Sequence, residues 1–152
     1  MSPYNNILVV CMGNICRSPV AAAMLKKALP EKNIQSAGLN AMVDQGVEPT
    51  AKQLAEQDGI DVSEHKAQQL TTEHLQWADL ILVMSQNQRS LIGQKDPAAM
   101  GKTMLLGHWI HGVGTRANNG ADIPDPYKKS ADVFGHVHNS IKQATNLWAE
   151  KL

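Results

Sequence analysis

The sequence contains no apolar run long enough to cross a membrane. A transmembrane helix needs about 20 consecutive apolar residues, and a secretory leader needs a charged segment followed by an apolar one. Neither pattern is found in this chain. We therefore expect a cytoplasmic protein that does not insert into membranes.

Cysteine is also scarce, and the two cysteines, Cys11 and Cys16, lie in one short stretch. Cysteines so close together cannot form the disulfide framework of a small secreted domain. This argues against an extracellular protein and agrees with the expected cytoplasmic location. It leaves both residues available for another role.

No excess of either charge is present, because lysine plus arginine and aspartate plus glutamate number 14 each. Proteins that bind nucleic acid or membrane surfaces without further specificity depend on a basic face. We therefore expect no nucleic-acid partner, although a local basic pocket is compatible with zero net charge.

Metal and nucleotide motifs are missing as well. A structural zinc site needs four converging ligands, but His136 and His138 lie two residues apart on a predicted helix and so face different directions. His108 and His111 have no cysteine partner nearby. The chain also lacks a complete dinucleotide-binding glycine pattern and a Gly-Lys-Ser/Thr nucleotide loop. We expect neither a metal nor a cofactor.

The pattern that is present alternates short apolar runs with helical periodicity, over a length of 152 residues that suits one domain, residues 1–152. Apolar runs predict strands at 7–10, 34–37, 80–84 and, more weakly, 104–106. Helices are predicted from Pro19 to 29, over 49–57, 71–77 and 86–92, and after a Ser130 cap. This order predicts an α/β fold in which helices flank a four-stranded parallel sheet in three layers.

The most informative stretch follows the first strand, where five residues separate Cys11 from Arg17. Gly13 and Asn14 tolerate positive φ, so this loop can point its backbone N–H groups inward around an anion, next to a helix N-terminus. The Arg17 guanidinium can bind two phosphoryl oxygens at once. The same positive environment lowers the pKa of a cysteine, and Ser18 can donate a hydrogen bond to its thiolate. The loop therefore predicts a phosphate site with a sulfur nucleophile.

A phosphate ester with an aryl leaving group also needs a proton donor. Asp125 is the best candidate, because prolines on both sides restrict its backbone. Asp in such a context is often only a turn residue. The segment from Cys11 to Arg17, here called the cysteine loop, changes this interpretation. Together with it, Asp125 is predicted to be a general acid that later activates water.

These motifs resemble those of the low-molecular-weight protein tyrosine phosphatase family. The Cys-x₅-Arg-Ser-Pro loop lies near the N-terminus and Asp-Pro-Tyr near the C-terminus, as in that family. The similarity continues through Ser36-Ala37-Gly38, His65-Lys66-Ala67, the strand ending at Met84, and Gly107-His108-Trp109. The chain is most similar to the bacterial branch that works beside tyrosine kinases controlling exopolysaccharide or capsule export.

The resemblance implies a role for each matching residue. Cys11 would be the nucleophile, Arg17 would bind phosphate and stabilise the transition state, and Asp125 would be the general acid. The implied phosphate cradle comprises Met12, Gly13, Asn14, Ile15, Cys16, Arg17 and Ser18. The implied supporting side chains are Asn14, Ser18, Ser36 and His65. The implied substrate is a phosphotyrosine protein, namely a tyrosine autokinase, while the oligomeric state is not indicated.

Two further roles follow from the same resemblance. Tyr127 would form an aromatic wall against the substrate ring. Cys16 resembles the second cysteine of the family, which can trap an oxidised Cys11 as a reversible disulfide.

The sequence departs from the family in three places. Gln68 stands where Arg is common after His-x-Ala, so the ion pair that such an arginine can form is not expected here. Leu39 stands near a position where some members have an aromatic residue, so that wall of the substrate cleft is predicted to be aliphatic. The segment 110–122 is longer than usual and is either a surface insertion or a flexible lip that shapes partner choice.

Two alternatives remain. An arsenate reductase on the same fold uses additional cysteines after the third strand, but residues 84–102 contain none. A phosphotyrosine-binding module without turnover would not need Cys11, Arg17 and Asp125 together. Both alternatives are therefore less favoured than a phosphatase.

Overall fold

The computed structural model describes residues 3–110 and 121–152. Its four strands form one parallel sheet in the order β2-β1-β3-β4. The strands are β1 Asn6–Cys11, β2 Asn33–Gly38, β3 Leu80–Val83 and β4 Thr103–Leu105. The predicted four-stranded parallel sheet is confirmed, and β1 occupies a central position in it.

Within the described ranges, five α-helices connect or cover these strands. They are α1 Arg17–Ala28, α2 Pro49–Gln57, α3 Thr72–Trp77, α4 Gln86–Lys95 and α5 Ala131–Lys151. Two short 3₁₀ helices span Pro97–Lys102 and Leu106–Trp109. No helix in the described ranges is long and apolar enough to span a bilayer.

The side chains of β1 explain the three layers. Ile7 and Val9 pack into one apolar cluster together with residues of α1, α2 and α5. Leu8 and Val10 point the other way, into a second cluster with residues of α3 and α4. Because successive side chains of a strand face opposite sides of the sheet, a strand that is apolar throughout requires a cover on both faces.

Helix α1 begins at Arg17, two residues earlier than the start that Pro19 predicted. Pro19 is therefore the third residue of the first turn, where a backbone N–H has no acceptor within the helix and its loss costs little. The earlier start brings Arg17 directly against the end of the loop that follows β1. The predicted Ser130 cap of α5 is present, with its hydroxyl accepting from the Val133 N–H at 3.4 Å.

Most of the 110–122 segment lies outside the described residues, since 111–120 are not described. Ala121, the first residue after this stretch, lies against the second 3₁₀ helix, because its N–H donates to the Gly107 carbonyl at 2.9 Å. The interpretation of this segment as an insertion or a lip stays a prediction.

Candidate active site

Cys11 is the last residue of β1, and Arg17 is the first residue of α1. Between them the chain turns at the carboxyl end of a central strand, which is where open parallel sheets bind ligands. A cavity of about 190 Å³ opens above this turn. Its lining residues are Cys11, Met12, Gly13, Ile15, Cys16, Arg17, Asn40, Met42, Asp125 and Tyr127.

Asn14 holds the turn in shape from behind the cavity. Its φ is +59°, in the left-handed region that asparagine tolerates better than most residues, and it is fully buried. Its side-chain amide donates to the hydroxyls of Ser18 at 2.7 Å and Ser36 at 3.0 Å. Three of the predicted supporting residues are thus joined in one hydrogen-bonded network.

Two residues of the segment before α3 complete this network. The His65 Nε2–H donates to the Asn14 carbonyl at 2.7 Å, and the Gln68 N–H donates to Asn14 Oδ1 at 2.9 Å. Burial lowers the pKa of His65, although its hydrogen bond to the carbonyl partly opposes the shift. The neutral imidazole still carries the Nε2 proton that this bond needs. The Gln68 side chain also donates to the Ser36 carbonyl at 2.8 Å, which is a neutral contact.

The Cys11 sulfur receives two polar contacts from Ser18. The serine Oγ lies 3.0 Å from the sulfur, and the serine N–H donates to it at 3.4 Å. Because the serine oxygen already accepts from Asn14, its own proton is free to point at the sulfur. The arrangement suits a thiolate, which accepts hydrogen bonds and donates none.

Arg17 is 4 % exposed and is only partly paired. Its Nη1 donates to the Ile123 carbonyl at 2.7 Å, and its Nη2 lies 3.7 Å from Asp125 Oδ2, too far for a hydrogen bond. Its buried Nε has no hydrogen-bond partner among the described residues. Since an unpaired buried donor of a charged group is costly, the Nε and Nη2 edge is suited to an oxyanion in the cavity.

Asp125 enters the cavity on a loop that is tied to the sheet. The Ile123 N–H donates to the Met84 carbonyl at 2.8 Å, just after β3, while the Ile123 carbonyl binds Arg17. Asp125 Oδ1 accepts from the Tyr127 N–H at 3.1 Å, so Oδ2 is the oxygen left for a substrate. The carboxylate is 49 % exposed. The loop therefore holds it at the cavity while leaving it open to solvent.

The cavity wall after β2 differs from the prediction. Leu39 is absent from the cavity lining, and it packs instead against the apolar cluster on the α3–α4 side of the sheet. Asn40 and Met42 line the cavity, and their N–H groups donate to the carbonyls of Met12 at 2.9 Å and Gly13 at 3.0 Å. Met42 therefore supplies the aliphatic wall that was assigned to Leu39.

Gly38 makes this pairing between two loops possible. A Cβ at this position would lie 2.7 Å from the Met12 carbonyl oxygen, closer than real Cβ contacts. Glycine at the end of β2 therefore lets the chain run directly against the cysteine loop.

Cys16 also lines the cavity, but its chemistry differs from that of Cys11. Burial raises the pKa of the Cys16 thiol to about 12, and the nearby Cys11, Asp125 and Glu48 add to the effect while Arg17 opposes it. Cys16 is therefore a thiol at neutral pH. Both cysteines are free.

The structure brings together nearly all the residues that the sequence singled out. Ser18, Ser36 and His65 lie behind the loop, whereas Tyr127 lines the cavity and is 36 % exposed. Sequence reasoning missed Asn40, Met42 and the Ile123 carbonyl. No local signal identifies a backbone carbonyl that receives an arginine 106 positions away.

Comparisons with known proteins agree with this geometry. Residues 6–152 match the family described as low molecular weight phosphotyrosine protein phosphatase. The chain is 46 % identical over 97 % of both chains to AmsI of Erwinia amylovora, which is described as a probable low molecular weight protein-tyrosine-phosphatase. The crystal structure of AmsI superimposes with a TM-score of 0.91, covering 99 % of this chain and 95 % of that one at 44 % identity.

Two further solved structures are similar. The tyrosine phosphatase Wzb from Escherichia coli K30, in complex with sulphate, has a TM-score of 0.90 and 39 % identity, with 97 % of this chain and 98 % of that one covered. The YwlE arginine phosphatase from Geobacillus stearothermophilus has a TM-score of 0.86 and 35 % identity, with 98 % and 92 % covered. Because these matches span nearly the whole chain, the protein belongs to the low molecular weight phosphotyrosine protein phosphatase family and is an enzyme of that class.

Proposed function

We propose that this protein hydrolyses phosphotyrosine in a protein substrate through a cysteinyl-phosphate intermediate. The observation that carries the proposal is the cavity that Cys11, Arg17 and Asp125 share, in which the unpaired Arg17 Nε can bind an oxyanion. No metal or cofactor takes part in the proposed steps.

In the first step the Cys11 thiolate attacks phosphorus in line with the ester oxygen. The S–P bond forms while the P–O bond to the tyrosine ring breaks, and protonated Asp125 gives its proton to the departing phenolic oxygen. Arg17 Nε and Nη2 and the backbone N–H groups of the loop bind the phosphoryl oxygens as their charge is redistributed.

In the second step water hydrolyses the intermediate. The Asp125 carboxylate takes a proton from the water as its oxygen attacks phosphorus, and the S–P bond breaks. Orthophosphate leaves, the cysteine returns as a thiolate, and the aspartic acid is protonated again. The hydroxyl of Ser18 donates a hydrogen bond to the sulfur. This bond stabilises the thiolate that leaves in the second step, so sulfur is a better leaving group.

The walls of the cavity support an aromatic substrate. Met42 contributes a polarisable thioether and Tyr127 a phenol ring, both of which make favourable contacts with aromatic rings. We propose Tyr127 and Met42 as the residues that contact the tyrosine ring, in place of the predicted Tyr127 and Leu39.

The proposed physiological substrate is a cytoplasmic bacterial tyrosine autokinase involved in exopolysaccharide or capsule production. The similarity to AmsI and Wzb supports this proposal. The autokinase itself stays a prediction from the resemblance.

A panel of substrates tests the proposed function. Matched peptides carrying phosphotyrosine, phosphoserine or phosphoarginine are assayed for phosphate release, and arsenate is assayed for reduction in the presence of thiol. We expect turnover of the phosphotyrosine peptide to exceed that of the others, because its ring fills the cavity between Met42 and Tyr127. Faster turnover of phosphoarginine, the substrate class named for YwlE, would contradict the proposal, as would arsenate reduction without phosphatase activity.

We further propose that Cys16 protects Cys11 from irreversible oxidation. Peroxide would convert the Cys11 thiolate to a sulfenic acid, and the Cys16 sulfur would then attack that sulfur, releasing water and forming a disulfide that an added thiol reduces. Both cysteines belong to the same short turn and line the same cavity, which supports this proposal.

If Cys16 protects Cys11, the Cys16→Ser variant should differ from the parent enzyme in how much activity it recovers after oxidation. We expect the parent enzyme to recover most of its activity when peroxide treatment is followed by thiol. Cys16→Ser should recover several-fold less, because its sulfenic acid has no intramolecular partner and oxidises further. Equal recovery of the two proteins would remove this role.

A further inference from the structure

Lys128 lies in a tight turn directly after the cavity-lining Tyr127. The turn is closed by the Lys129 N–H, which donates to the Pro126 carbonyl at 2.8 Å. Lys128 is the third residue of this turn and has a φ of +63°. Glycine or asparagine is the residue that such a position favours.

A lysine is unusual at this φ. Outside glycine, the other residues with positive φ in the described chain are Asn14 and Asp44, whose short polar side chains tolerate it. Lysine has no such local compensation, so the backbone of the turn does not account for its presence. Backbone strain near an active site is a reason to examine what the side chain does.

The Lys128 side chain places its charge beside the substrate cavity. Its ammonium lies 5.6 Å from the centroid of the Tyr127 ring, within the range of a cation–π contact. Because Tyr127 lines the cavity, the exposed Lys128 ammonium lies against a residue of the cavity wall, within reach of groups that flank a bound phosphotyrosine.

We propose that Lys128 is a specificity-determining residue that favours phosphotyrosines flanked by an anionic group, either a carboxylate or a second phosphotyrosine. The inference rests on the proposed function and names a class of substrate for it. The chain has no net charge, so such a preference comes from the local position of Lys128 and not from overall attraction. The same segment also carries the ammonium of Lys129 and the carboxylates of Asp125 and Asp132.

Three phosphotyrosine peptides test the inference, flanked by asparagine, by aspartate or by a second phosphotyrosine. At low ionic strength we expect kcat/KM for the aspartate peptide to exceed that for the asparagine peptide by about 2- to 5-fold, the size expected for a solvent-exposed ion pair. The ratio should fall towards one as salt is added. A larger ratio for the second phosphotyrosine would identify a phosphate dianion as the preferred neighbour.

Variants at position 128 separate the charge from the backbone conformation. Lys128→Arg should keep the preference, whereas Lys128→Gln should bring the aspartate-to-asparagine ratio close to one. Lys128→Gly should lose the preference and melt no lower than the parent, because glycine adopts positive φ without strain. The matched control is Lys151→Gln, which removes another ammonium that lies over an aromatic ring, that of Trp109, outside the cavity lining.

The outcomes distinguish this inference from the proposed function. An unchanged ratio in Lys128→Gln, or equal rates of the parent enzyme on the aspartate and asparagine peptides, would overturn the inference and leave the proposed function intact. Absence of turnover on all three peptides by the parent enzyme would overturn the proposed function itself.

Discussion

Cys11→Ser is expected to abolish turnover while phosphate or vanadate still binds. A serine hydroxyl is neutral and a poor nucleophile near neutral pH, so no covalent intermediate forms. Phosphate release should fall by a factor on the order of 10⁴–10⁶, the range expected when the nucleophile of a covalent mechanism is removed. Binding should persist because the unpaired Arg17 Nε and the loop N–H groups are unchanged.

The variant should also remain folded. Cys11 is 2 % exposed, and serine differs from it by one atom and can keep the contacts to Ser18 at 3.0 and 3.4 Å. A melting temperature close to that of the parent, together with saturable vanadate binding, would show that the loss belongs to chemistry. Turnover within about tenfold of the parent, a barrier change of only ~1.4 kcal/mol, would contradict Cys11 as the nucleophile.

Asp125→Asn is expected to slow the enzyme selectively on substrates whose leaving group needs a proton. An asparagine oxygen can still accept from the Tyr127 N–H, as Asp125 Oδ1 does at 3.1 Å, so the loop keeps its turn. The proton donor is lost. Phenyl phosphate turnover should fall by roughly 10²–10⁴-fold, the usual contribution of general acid catalysis. p-Nitrophenyl phosphate should slow much less, because nitrophenolate leaves more easily without protonation.

The comparison between the two substrates is the measurement, since a folding defect would slow both. Asp132→Asn provides a matched control, because Asp132 is an exposed carboxylate in the first turn of α5, seven residues along the same segment. It should leave the ratio of the two rates unchanged. Equal slowing of phenyl and p-nitrophenyl phosphate by Asp125→Asn would exclude this residue as the acid.

The cysteine loop could be predicted from the sequence because its determinants are local. The run from Ile7 to Val10 is apolar throughout, which predicts a strand buried on both faces, and the structure confirms it. Gly13 and Asn14 were both predicted to tolerate positive φ, and the structure places Asn14 in that region but not Gly13. Each of these properties depends on residues a few positions apart.

The wall of the cleft could not be predicted in the same way. Whether Leu39 or Met42 lines the cavity depends on how the chain after β2 pairs with the cysteine loop. That pairing depends on Gly38, whose missing side chain allows contact with the Met12 carbonyl. A long-range backbone contact thus determines which side chain faces the cavity. The alternation of apolar and polar residues along the sequence does not predict this contact.

The amino-acid sequence alone therefore specified the parallel α/β fold, the family, and the cysteine loop with its arginine and distant aspartate. Strand periodicity, the conformational preferences of single residues and residue spacing depend on residues that are close together in the sequence. They can therefore be recognised from the sequence alone. The Arg17 contact to Ile123, the Gln68 contacts to Asn14 and Ser36, and the Met42 wall required the folded chain. They join positions up to 106 residues apart, largely through backbone groups that every residue possesses.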